Sequence, residues 1–166
     1  MFGRDINFME FLVHSEQDFE QRADQFVAWY GDGSDGASPT KSQWGYITSR
    51  PSDEPVTLIN FFKLRDKALY AEHVYSNDED RTGQDAFDLY AAVSIPTLEK
   101  VGGKFLLVAP FEASFLGVNE DWDLVAIGSY PNNGALLDLF EDTDYRAVFH
   151  HRTAACERQK VFIVSG

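Results

Sequence analysis

The run "VTLINFFKL", Val56 to Leu64, is dense in β-branched and aromatic residues, and this composition predicts a strand. Side chains alternate across a strand, so Val56, Leu58, Asn60, Phe62 and Leu64 share one face while Thr57, Ile59 and Phe61 share the other. Both faces are largely apolar. A strand of this kind is covered on two sides, and Asn60 is the one residue that interrupts the first face.

Reading outward, the segment from Gly83 to Gly103 has helical spacing and ends at a glycine pair able to cap it, with Pro96 expected to kink it. "KFLLVAPF" and "WDLVAIGSYP" read as strands joined by a long acidic connection, Glu112 to Asp121. "NNGALLDLF" reads as a short helix after Pro131, "TDYRAVFHHRTAACE" as a second, and "QKVFIVS" as a closing strand. Neither "KFLLVAPF" nor "VFIV" has a polar face. Three helices cover one side of a four-stranded sheet, so the other side needs a cover, most simply a second copy of the chain. Before this core, apolar residues from Phe19 to Tyr30 fall at helical spacing with Ser15 as N-cap, and Gly31 to Ser42 reads as a loop. The expected division is an N-terminal helical extension and loop over residues 1–54 and a core domain over 55–166.

The chain has 166 residues, long enough for one well-buried core. Its net charge of −13 is spread along the chain and repels phosphate backbones and anionic lipid, which argues against nucleic-acid and membrane partners. Charged residues break every apolar run of the N-terminus, so no signal peptide is expected. A single cysteine, Cys156, excludes an internal disulfide, suits a reducing compartment and reads as a small buried residue, and a cytoplasmic protein is the expectation. Four scattered histidines and one cysteine give no metal-ligand spacing. No serine sits in a nucleophile elbow, and no glycine-rich loop is built to cradle a phosphate.

The chemistry-bearing residues cluster near the C-terminus. At about 100° per residue, Tyr145, Val148, His151, Arg152 and Ala155 share a helix face, and Arg146 and His150 point the other way. If Val148 and Ala155 mark the inward side, Arg152 enters the interior charged, and there it needs either a carboxylate such as Asp123 or a bound anion. His151 beside it would carry a proton or donate a structural hydrogen bond. Asn60, in a strand that disfavours amides, is bonded either to a neighbouring group or to a ligand. Tyr90 and Tyr130 read as core aromatics able to turn a hydroxyl toward a pocket. Residues 65–83, with Tyr70, His73 and Tyr75, are longer than an ordinary connection and are either a solvated insertion or a lid.

"LINFFKLRDKALY", "GQDAFDLYAAVSIPTLEKVGGKF", "EDWDLVAIGSYPN" and "DYRAVFHHRTAA" together resemble the domain-of-unknown-function family numbered 1330, of the dimeric α+β barrel superfamily. The resemblance covers about Thr57 to Ser165. It implies an α+β, ferredoxin-like βαββαβ sandwich that forms a dimeric α+β barrel, here with an N-terminal helical extension. The matching positions are Asn60, Tyr90, Gly102, Gly103, Trp122, Asp123, Tyr130, Pro131, Tyr145, His151, Arg152 and Ala155. Lys104 stands where the family pattern has arginine, and Ala109 and Pro110 where it has a glycine-containing pair. The expected function is a small-molecule pocket between sheet and helices, either in a cofactor-independent enzyme acting on a small oxygenated or anionic substrate or in a non-catalytic binding or assembly module. In the first case Arg152 holds the negative oxygen, His151 moves a proton, and Asn60, Tyr90, Tyr130, Tyr145 and Lys104 bind substrate. No cofactor or metal is expected, and the partners are a second copy of the chain and a small organic ligand.

Overall fold

The computed structural model describes residues 5–71 and 80–166. It divides into two compact units, Met1–Pro51 and Ser52–Gly166. The first consists of helix α1 (Asp5–Tyr30) and helix α2 (Lys41–Ser49). α1 begins ten residues before the N-cap expected at Ser15, because no proline or glycine interrupts the sequence from Asp5 onward. α2 falls where the sequence reading stopped at a loop. Its start is fixed by a capping box in which the Thr40 hydroxyl accepts from the Gln43 amide and the Gln43 side chain accepts from the Thr40 amide. Between the two helices, Phe26 and Trp44 stack with ring centroids 4.7 Å apart.

The second unit has the order β1 (Val56–Leu64), α3 (Gly83–Lys100), β2 (Lys104–Pro110), β3 (Leu124–Tyr130), α4 (Asn133–Glu141), α5 (Thr143–Ala155) and β4 (Cys156–Ser165). The sheet order is β2-β3-β1-β4 with every pairing antiparallel. That is the ferredoxin-like βαββαβ arrangement with α4 added before the second crossover helix. Val56 pairs with Tyr130 and Asn60 with Ala126 on β3, while Asn60 faces Val161 on β4. Even-numbered residues of β1 therefore look toward the helices and odd-numbered ones toward the outer face.

Each helix has a readable start. Thr82 and Asp85 form a capping box for α3, and Asn132 accepts from the Ala135 amide at the head of α4. Asp142 ends α4 and opens α5, accepting from the Asp144 and Tyr145 amides at 2.9 and 3.0 Å and from Lys100 at 2.8 Å. α3 runs through Pro96 and presents Phe87, Tyr90, Ser94 and Leu98 to the sheet at helical spacing, all four buried. After it, Gly102 takes φ of +90°, which favours glycine, and a Cβ on Gly103 would meet Leu98 at 2.9 Å.

The outer face is apolar and open. Leu107, Phe162 and Val164 are exposed on it, and Phe61 packs edge-on to Phe111 and Phe162 and beside the buried Trp122. The acidic connection 111–123 is pinned at its stem, where Lys160 pairs with Glu120 at 2.6 Å and Lys63 with Asp121 at 3.0 Å. At its tip Phe115, Leu116 and Val118 are 104%, 92% and 84% exposed, so three apolar side chains stand wholly in solvent. No helix among the described residues is long and apolar enough to cross a membrane.

Candidate functional site

Between the helix-facing side of the sheet and the helices lies a cavity of about 120 Å³. Its walls are mainly aliphatic and aromatic, with Phe62, Phe87, Phe105 and Phe140 among them. Its polar groups are few and come from separate elements: Asn60 of β1, Tyr90 and Ser94 of α3, Tyr130 of β3, and Tyr145 and Arg152 of α5. Ile95 and Val108 also line it and are exposed, marking where it reaches the surface.

Arg152 is the centre of this group and is 9% exposed. Its Nε–H donates to the Gln159 side-chain oxygen at 2.8 Å and its Nη1 to the Tyr90 hydroxyl at 3.2 Å. The guanidinium lies 4.9 Å from the centre of the Phe62 ring and 5.5 Å from that of Phe149. Among the described residues no carboxylate pairs with it. Asp123, the internal partner that the sequence allowed, accepts instead from the Leu64 amide at 2.7 Å and from Lys63 at 3.3 Å. Nη2 makes no hydrogen bond among the described residues, so the cavity is left to it. Burial works against the guanidinium charge, while Tyr90, Tyr145 and Cys156 favour it, and the net direction is upward.

Around the guanidinium stand three phenols. The Tyr90 and Tyr145 hydroxyls are 2.9 Å apart. The Tyr130 hydroxyl has no hydrogen-bond partner among the described residues, although its ring is buried. Burial pushes the Tyr130 hydroxyl well up from its ordinary pKa, with Tyr90 adding to the effect. Tyr145 moves the same way, again through burial first and Tyr90 second. Both therefore remain neutral donors across the physiological range. Asn60 donates through its amide nitrogen to the Ala126 carbonyl at 3.0 Å, which leaves its side-chain oxygen as an acceptor for the cavity. The site thus combines a fixed positive charge and neutral hydroxyls with a single amide acceptor, in a largely apolar setting where such interactions are strengthened.

The structure brings Asn60, Tyr90, Tyr130, Tyr145 and Arg152 together and leaves two expected residues elsewhere. His151 does not line the cavity. Its Nδ1 lies 2.7 Å from the Tyr70 hydroxyl, to which Arg81 also donates at 3.0 Å, and its ring is 4.0 Å from that of His150. The inward stripe of α5 is Tyr145, Phe149 and Arg152, so its axis is rotated from the one through Val148, and His151 is carried off the cavity wall. For the same reason His150, expected to point away from the interior, is half-buried in this flank. Lys104 is exposed and pairs with Ser129, opposite Thr57, which places it on the outer face of the sheet. Tyr70, in the segment read as either a solvated insertion or a lid, is hydrogen-bonded to His151 and does not line the cavity; His73 and Tyr75 lie outside the described residues. Ser94 was missed from sequence, although it shares the helical stripe of Phe87, Tyr90 and Leu98. Cys156 is buried behind the site, and burial pushes its thiol up to about 11, the state of an inert thiol rather than a nucleophile.

A crystal structure of a protein of unknown function from Rhodopseudomonas palustris superposes with a TM-score of 0.69 at 30% identity, covering 78% of this chain and 95% of that one. This chain belongs to the same family. A structure of the methylated form of that protein agrees, with a TM-score of 0.70 at 29% identity over 78% of this chain and 93% of its own. A dimeric protein of unknown function and ferredoxin-like fold from Bacteroides fragilis superposes loosely, with a TM-score of 0.42 at 13% identity over 70% of this chain and 100% of its own, and no inference is drawn from it. No protein-family model and no curated protein matches the chain. The family likeness fixes the fold and leaves the function to the site.

Proposed function

We propose that the protein binds a small oxygenated organic molecule in its anionic form within the cavity between sheet and helices, without a cofactor, and that Arg152 holds the negative oxygen. The observation that carries this reading is a buried guanidinium that lines the cavity, with no carboxylate partner and one terminal nitrogen making no hydrogen bond among the described residues. Such a group is costly to bury unless an anion answers it. Tyr130 supplies a neutral donor, the hydrogen-bonded pair of Tyr90 and Tyr145 at most one more, and Asn60 an acceptor for a hydroxyl of the ligand. The groups lining the cavity favour charge stabilisation over proton abstraction, since the expected proton carrier, His151, is engaged with Tyr70. Catalysis here would consist of stabilising an enolate or similar oxyanion that forms on the ligand itself.

The test is thermal unfolding against a panel of small acids, enols and phenols. A ligand present at about a hundred times its Kd contributes about 2.7 kcal/mol. For a chain of this size that is a Tm rise of about 5–10 °C. Asn60→Leu is expected to remove part of the shift, and a wild type unmoved by every member of the panel defeats the reading.

The outer face favours a second proposal, that two copies associate through their sheets, as the resemblance to family 1330 implies. Its support is the open row of Leu107, Phe162 and Val164, continuous with the aromatic cluster of Phe61, and the apolar tip of the acidic connection. Phe162→Asp would place an unpaired charge in the interface of both copies. It is expected to weaken association at least about a hundredfold while leaving the unfolding midpoint of the isolated chain nearly unchanged. Light scattering across a dilution series measures this, and a wild type that is monomeric at every concentration refutes the assembly.

A further inference from the structure

Resting on the binding reading above, we propose that the ligand is a monocyclic molecule with one acidic ring hydroxyl, a phenol or a ring enol, held as its oxyanion rather than as a carboxylate. Three features of the cavity and the charge of the whole chain point to this class.

The first is size. A dry cavity of about 150 Å³ accommodates a benzene ring. At about 120 Å³ this one has room for a single ring with little to spare. The walls suit such a body, because Phe62, Phe87, Phe105 and Phe140 come from β1, α3, β2 and α4 and enclose the space from separate directions.

The second is the use already made of the guanidinium. Carboxylates are gripped best by two parallel N–H groups, and the side-on grip needs Nε–H. Here Nε–H is committed to Gln159, and Nη1 already donates to Tyr90. What Arg152 still offers the cavity is the two N–H groups of Nη2 and the second of Nη1, so the side-on carboxylate grip is closed and a single oxygen anion is the simpler fit.

The third is the neighbouring donor. Tyr130 brings a protonated hydroxyl with no other partner among the described residues, and the charge of Arg152 acts on it. Arg152 of α5 and Tyr130 of β3 line the same cavity and together offer donors to a single negative oxygen, with the ring extending into the apolar space.

The fourth is access. The chain carries a net charge of −13, which opposes the approach of a carboxylate. A phenol or ring enol arrives neutral, and where its hydroxyl is acidic enough for the hydrogen bonds of Arg152 and Tyr130 to outweigh the burial that keeps Tyr130 and Tyr145 neutral, it loses its proton to solvent. The O–H bond breaks, the electron pair stays on oxygen, and no base or cofactor is consumed. A positive charge within hydrogen-bonding reach lowers the pKa of an acidic group by about one to three units.

Fluorine NMR provides the experiment, using 4-fluorophenol, 4-fluorobenzoate and fluorobenzene as probes of nearly equal width. The ring fluorine reports both binding and ionisation. Bound 4-fluorophenol is expected to ionise about one pH unit below the free compound, the charge of Arg152 being partly offset by burial. Arg152→Met abolishes that displacement, and Tyr130→Phe, which keeps the ring and removes only the hydroxyl, weakens binding about tenfold. Binding of 4-fluorobenzoate more tightly than the phenol overturns the proposed class and leaves the anion-binding cavity standing. Equal binding of fluorobenzene, or a bound phenol whose ionisation is not displaced, overturns the oxyanion. If none of the three probes binds, this class and the binding reading it rests on fall together for ring ligands. The panel of open-chain acids in the thermal experiment then tells whether the cavity binds anything at all.

Discussion

Arg152→Met is expected to abolish binding of small anions while leaving the protein about as stable as the wild type or more stable. Two opposing effects set this outcome. The arginine contributes hydrogen bonds to Gln159 and Tyr90 and stacks over Phe62, and their loss costs on the order of 1–2 kcal/mol. Against that, an ion is withdrawn from water with no carboxylate to answer it among the described residues, and replacing buried ions by apolar side chains of similar volume is often neutral or stabilising by about 1–4 kcal/mol. Methionine follows the same path through the interior and can occupy the apolar part of the site. The net expectation is a change between about −1 and +3 kcal/mol, a Tm from about 4 °C lower to about 10 °C higher. Binding of an anionic ligand is expected to fall about a hundredfold or more, the loss of a charged hydrogen bond in a buried site. Thermal melts and titration calorimetry on the same variant separate the two effects. A variant that loses several kcal/mol of stability would show Arg152 to be a structural strut.

Gly83→Ala is expected to destabilise the protein, although helix propensity alone predicts the reverse. Gly83 is the first residue of α3, where alanine is favoured over glycine by up to about 1 kcal/mol. A Cβ there, however, would run into the carbonyl oxygen of Arg65 and lie 2.8 Å from its nitrogen. Arg65 cannot step aside, because its carbonyl accepts the Gly83 amide at 3.1 Å and its own amide donates to Ala155 at 2.8 Å. The chain leaving β1 is therefore clamped between the head of α3 and the end of α5. Overpacking against backbone costs about 1–3 kcal/mol, and one hydrogen bond of the clamp is lost besides. A fall in Tm of about 5–10 °C is expected, and an unchanged or raised Tm would mean that this junction yields.

Much of the fold could be read from the strands. Val56 to Leu64 carries its register in the alternation of its own side chains, and the sheet pairs it as that alternation requires. α2 was within reach as well, since Thr40 and Gln43 spell a capping box that the adjoining glycine-rich loop obscured. The site was legible in its membership more than in its geometry. Asn60, Tyr90, Tyr130, Tyr145 and Arg152 converge, but the inward axis of α5 was misplaced by reading Val148 instead of Phe149 as its marker. Both residues are apolar and adjacent, and only the packing of α5 against α3 and the sheet distinguishes them. The empty volume was not legible at all, because it is set jointly by side chains from three strands and three helices that are distant in sequence. Nor does sequence reveal that Asp123 turns to the Leu64 amide and so leaves Arg152 unanswered.

The alternation of β1 has a consequence for how such a protein changes over generations. Leu58, Asn60 and Phe62 meet whatever enters the cavity, and Thr57, Ile59 and Phe61 meet whatever lies against the outer face. Point substitutions on one set leave the other untouched, so ligand preference and surface character can drift separately along a single nine-residue strand. A one-residue insertion grants no such freedom, since it exchanges the two sets at a stroke and turns Asn60 away from Arg152. The strand is tolerant of spelling and intolerant of length.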